Sequence, residues 1–179
     1  MSEALRALYA GDRGQAEALL PADGALTVFE AAAFGRVARL TELLLEDSSR
    51  ATTFSADGFT PLHLAVFGGQ EAAARALIEA GADVNALSRG AFAVVPPLGT
   101  AAFVRSLPLA RLLLDAGADV NGRGEGGFTA LHAAAQNGDE PLARLLLERG
   151  ADPGATTGDG RRPADIATSD GMRAMLGAA

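Results

Sequence analysis

Residues 58–69 read GFTPLHLAVFGG, and residues 127–138 read GFTALHAAAQNG, the same pattern 69 positions further on. With Leu62 aligned on Leu131, a step of 33 back from Leu62 lands on Phe29 in TVFEAAAFG. A step of 33 forward from Leu131 lands on Ala164 in RRPADIA, where Pro163 stands in the place of Pro61 and Ala167 in that of Ala65. Between the two clear copies, PPLGTAA puts Leu98 at 36 residues beyond Leu62 and 33 before Leu131, so one unit is three residues longer. A second marker moves in phase: GADVN at 81–85 and 117–121, then GADPG at 150–154. Two markers in step indicate tandem repetition.

The chemistry within a unit is local. Thr60 can cap a helix with its hydroxyl, and Pro61 suits the first helical position, where its missing N–H costs nothing. Gly68 and Gly69 permit a tight turn into a second helix through Ala72 to Ala80, which Gly81 can end in the left-handed conformation. AAARALIEAG, LARLLLDAG and LARLLLERG, with RLTELLLED one step earlier, carry leucines at spacings of three and four, one stripe facing inward. Each unit therefore reads as helix, turn, helix and extended loop.

TPLHLA at 60–65, TALHAA at 129–134 and the GADVN segments resemble the ankyrin-repeat family, whose period is 33 residues. The resemblance implies an all-α solenoid of stacked helix-turn-helix units with projecting finger loops, one domain over 1–179. Within it, 1–20 is expected as an N-terminal capping helix pair, with Ala7 and Gly11 matching Ala65 and Gly69. The repeats follow at 25–56, 57–89, 90–125 (divergent, with the three-residue insertion) and 126–158, and 159–179 forms the C-terminal cap, with Gly171 at its turn. The unit around Leu98 departs from the pattern: Gly99 replaces the histidine, Pro96 and Pro97 replace the Thr-Pro pair, and Arg105 stands where Gly69 and Gly138 stand. Arg105 is expected either to adopt a strained turn or to sit in a turn rebuilt around the insertion.

Composition narrows the function classes. Hydrophobic residues make up 49% of the 179, enough for a buried core. The longest uncharged run, Gly90 to Val104, is short and holds two prolines, so no membrane span is expected, nor is a secretory signal evident at the N-terminus. Cysteine is absent, which removes disulfides, thiolate metal sites and thiol nucleophiles. A net charge of −7 with no basic cluster opposes nucleic acid. All 15 basic residues are arginines, in an Ala-, Gly- and Leu-rich chain suggestive of a GC-rich, bacterial genome. A cytoplasmic protein is expected.

No G-x-S-x-G, P-loop or H-E-x-x-H string occurs. His63 and His132 lie inside the signature; in the family such rings hydrogen-bond neighbouring backbone and the capping threonine, so no catalytic, cofactor or metal role is assigned. GRGEGG at 122–127 follows a helix, lacks lysine and contains Glu125, which favours a finger turn over a phosphate cradle. Asp83 and Asp119 recur with the repeat, and the resemblance implies that they brace the loop against the adjacent unit.

The phenylalanines carry more information. Phe34, Phe67 and Phe103 each stand five residues after the signature position, near the end of a first helix, while Phe59 and Phe128 stand three before it, between the finger glycine and the capping threonine. By the family's geometry these five share the concave side, Phe92 lies in the inserted finger, and Arg89 and Arg123 flank them on fingers. Large exposed apolar side chains mark interfaces, which favours recognition; the alternative is that the rings pack side by side to seal the groove. The candidate partner contacts are Phe34, Phe59, Phe67, Arg89, Phe92, Phe103, Arg123, Phe128 and Gln136. The expected function is a non-catalytic, monomeric module that binds another protein through groove and fingers, with no cofactor. The alternative is a regulatory or inhibitory subunit that occludes an enzyme's active site.

Overall fold

A computed structural model describes residues 1–90 and 94–177. The described residues form helices and turns without strands. The helices follow one another in pairs: α1 Glu3–Tyr9 and α2 Arg13–Ala18; α3 Val28–Ala33 and α4 Val37–Glu46; α5 Pro61–Phe67 and α6 Glu71–Glu79. Then come α7 Pro97–Phe103 and α8 Leu107–Asp115; α9 Ala130–Asn137 and α10 Glu140–Glu148; α11 Pro163–Ile166 and α12 Asp170–Gly177. The chain divides into two compact units, Met1–Asp83 with Ser88–Phe92, and Val84–Leu87 with Ala93–Ala179.

The helices start and stop where the local chemistry directs. The Thr60 and Thr129 hydroxyls accept from the backbone N–H of His63 and His132, each at 3.4 Å, satisfying an orphan donor of the first turn. The turns into the second helices close with positive φ at Gly11, Gly35, Gly69 and Gly138, and the second helices end on Gly81, Gly117 and Gly150 in the same region. Arg105 takes this conformation as well, with φ 57, alone among the described non-glycine residues. The repeat's backbone is thus kept at Arg105 in spite of its side chain, the strained of the two expected outcomes.

Alanine and leucine make the core. In the first unit α1 packs on α3 and α3 on α5, burying Ala4, Leu5, Ala7, Leu8, Ala33, Phe34 and Leu64 in one core. In the second, α7 packs on α9 and α9 on α11, with Leu98, Ala101, Leu131, Ala134 and Ala135 at 2% exposure or less. The methyl side chains allow close helix approach, and the leucine stripes of α8 and α10 bury Leu109, Leu113, Leu142 and Leu146 completely.

Two expectations change. Gly171 is not at the turn of the last pair: it lies inside the first turn of α12, whose residue Met172 donates its N–H to Ser169 Oγ at 3.1 Å. Nor does the Asp119 side chain brace neighbouring loops, because its Oδ1 accepts from Asn121 N within its own turn, at 2.9 Å. The bracing falls to asparagines. Asn85 donates to Gly117 O (3.3 Å) and accepts from Asp119 N (2.7 Å), and Asn121 repeats both bonds with Gly150 O (3.2 Å) and Asp152 N (2.8 Å). A side-chain amide can donate and accept at once, whereas a carboxylate only accepts.

Candidate partner-binding surfaces

The histidines are occupied by the fold. Thr129 N–H donates to His132 Nδ1 at 3.2 Å, and the Thr129 hydroxyl lies 2.8 Å from the same nitrogen. Nε2 is 3.1 Å from Arg161 O, and since a carbonyl only accepts, the proton sits on Nε2. This ring is therefore neutral with both nitrogens engaged, and burial holds its pKa below the ordinary 6.5, against the Arg161 carbonyl, with the charges of Arg123 and Arg161 adding to the depression. His63 Nδ1 meets Thr60 in the same manner, 2.8 Å from its hydroxyl. Among the described residues no group of three or more His, Cys, Asp or Glu side chains could hold a metal ion. No described helix is long and apolar enough to cross a membrane.

In the first unit Tyr9, Phe29, Phe34, Phe59 and Phe67 gather into one cluster. Phe34 is buried, 7% exposed, and belongs to the core rather than to the open face expected for it. Phe67 and Phe59 are half-buried, their ring centroids 5.3 and 6.1 Å from Tyr9. Tyr9 was not among the sequence candidates, although Ala7 aligned on Ala65 puts it at the register of Phe34 and Phe67. The signal was present in the capping pair. Arg13 Nη1 of the same pair donates to Gly68 O at 3.3 Å.

The fingers are ordered by their own bonds. Ser55 N–H donates to Phe59 O and Arg89 N–H to Gly58 O, at 2.9 and 2.7 Å. The Arg89 guanidinium lies 3.8 Å from the Phe54 ring centroid, a cation–π contact on an exposed side chain. Met1, Phe54, Asp57, Arg89 and Gly90 help to line an open cleft at this finger. Phe92 lies outside the described residues.

In the second unit Arg123 Nη1 donates to Thr156 O at 3.1 Å and ties two fingers together. Gly124 N–H donates to Phe128 O at 2.8 Å, which makes GRGEGG a finger turn. Phe128 is half-buried with its ring centroid 5.2 Å from that of His132, as Phe59 lies 5.9 Å from His63. Phe59 and Phe128 thus shield the threonine–histidine caps instead of standing free. Phe103 differs: 69% of it is exposed. Beside it Asn137 Nδ2 donates to Ala102 O at 3.1 Å, and Gln136, at the matching position of α9, is exposed.

A family model described as ankyrin repeat matches residues 57–89, and another, ankyrin repeats (many copies), matches 106–167. Together they cover more than half of the chain, and the stretch between them contains the divergent start of the lengthened unit. A search of curated proteins finds no match. With the period, the capping threonines and the helix pairs in agreement, the chain belongs to the ankyrin-repeat family.

Proposed function

We propose that the chain is a non-catalytic module that binds a partner protein with the exposed sides of its first helices and with its finger loops. Ankyrin repeats generally mediate protein–protein interactions. The observation that carries the reading is Phe103, an aromatic side chain 69% exposed on an ordered helix, where contact with water costs free energy that a partner would recover. Gln136 and the Phe54-stacked Arg89 are further candidate contacts. Fingers already tied by backbone bonds lose little conformational entropy on binding.

The test is affinity capture from a lysate of the native cells with the full chain, quantified by mass spectrometry against a resin control, followed by reconstitution of the captured pair from purified components. A defined protein bound in stoichiometric amount is the expected result. No protein retained above the control, or none that binds after purification, would overturn the reading.

A further inference from the structure

Two residues that break the rules of the repeat stand on one turn. Phe103 ends α7 with 69% of its surface in water, while Tyr9, Phe34 and Phe67, at the same register in the first unit, are buried or cover one another. Two residues on, Arg105 holds the left-handed conformation that Gly11, Gly35, Gly69 and Gly138 hold at the equivalent turns. Glycine adopts that backbone without steric cost and arginine does not, so the fold alone favours glycine here.

The Arg105 side chain is 60% exposed and weakly engaged. Its ion pair is with Asp139 Oδ2 at 3.9 Å, and Asp139 is already committed to α10, its Oδ1 accepting from Leu142 N at 3.1 Å. The neighbouring Glu140 carboxylate lies toward Gly171 of α12, where an added β-carbon would be 3.2 Å from its Oε1. The guanidinium fork therefore has donors to spare, and these match a carboxylate in bidentate geometry. Asn137, bonded to Ala102 O, fixes the end of α9 beside this turn.

We infer that the α7–α8 turn docks an acidic segment of a partner protein, with an apolar side chain of that segment on Phe103 and a neighbouring carboxylate on Arg105. The inference rests on the protein-binding reading above and names the chemistry of the partner. The complementarity is local: although the chain carries −7 overall, the exposed Arg105 guanidinium is held only by the 3.9 Å contact to Asp139 and stands two residues from the exposed Phe103, so a carboxylate next to an apolar side chain is what this turn can bind.

The experiment pans a random twelve-residue peptide library against the full chain, then measures binding of the enriched peptides to wild type, Phe103→Ala and Arg105→Gly by fluorescence polarisation. Enriched peptides are expected to carry Asp or Glu within three positions of Leu, Ile, Phe or Trp. Each variant is expected to bind them roughly tenfold more weakly, with the melting temperature of Arg105→Gly unchanged or higher. Peptides without acidic residues, equal binding by either variant, or no enrichment would overturn the inference. Dimerisation of the wild type that Phe103→Ala abolishes in sedimentation would do so too, by making a second copy the occupant. A native partner captured equally by wild type and Phe103→Ala removes this site and leaves the protein-binding reading standing.

Discussion

The hydroxyl of Tyr9 donates a 2.6 Å hydrogen bond to Asp57 Oδ2, joining the first helix to a finger 48 residues away. Asp57 Oδ1 is buried and has no hydrogen-bond partner among the described residues, so Tyr9 carries much of the satisfaction of this carboxylate. Replacing Tyr9 by phenylalanine keeps the ring contacts with Phe59 and Phe67 but leaves the carboxylate poorly bonded. A loss of about 1–3 kcal/mol is expected in urea unfolding at pH 7.

The same bond has a pH signature. Burial, then the hydrogen bond to Asp57 and its charge, push the Tyr9 pKa well above the ordinary 10.0. A raised folded-state pKa stabilises the fold below the unfolded value, and that contribution is lost as the unfolded tyrosine ionises above it. The chain has one tyrosine, no lysine and no cysteine, so Tyr9 dominates this range. Stability is expected to decline above about pH 10 by up to ~1.4 kcal/mol per pH unit. Unfolding midpoints between pH 8 and 11.5 check it, and Tyr9→Phe should give a flat profile.

His132 acts on the acid side. Its lowered pKa means that the unfolded state takes a proton below about pH 6.5 that the buried ring refuses, so stability present above that value is lost as pH falls. A His132→Gln variant, less stable at neutral pH, should show a shallower decline between pH 6.5 and 5 in the same unfolding assay.

Gly58 tests the close approach of the finger to its neighbour. With φ +85, a β-carbon there would sit 2.5 Å from Arg89 C and also strike Gly90 N. At Gly81, φ +88, a β-carbon meets nothing within 4 Å. Gly58→Ala should cost about 2–3 kcal/mol and Gly81→Ala about 1 kcal/mol, the difference being the backbone clash. Comparable urea midpoints for the two would refute it.

Arg105→Gly is expected to leave stability unchanged or raise it by up to ~1 kcal/mol: relief of the left-handed strain exceeds the gain in unfolded-chain entropy and the loss of a long, exposed ion pair. Phe67→Ala should cost about 2–3 kcal/mol, below the range for a fully buried ring, whereas Phe103→Ala should stay within ~0.5 kcal/mol. Chemical denaturation of the three variants distinguishes packing aromatics from an exposed one.

The sequence by itself determined what acts over a few residues. The 33-residue period, the threonine caps at 60 and 129 and the turn glycines all follow from hydrogen bonds and steric contacts within one or two helical turns, and each is found in the structure, whereas the choice between a strained and a rebuilt turn at Arg105 was made only there. Exposure was beyond it. Phe34 and Phe103 occupy the same register in similar helices, yet one is 7% and the other 69% exposed. What covers a ring is contributed by distant parts of the chain, as Leu5 and Leu8 of α1 join Phe34 in one core and as Tyr9 meets Phe67. The bracing asparagines escaped for the same reason: their partners lie about one repeat away, and only stacking brings an amide and those backbone groups within reach.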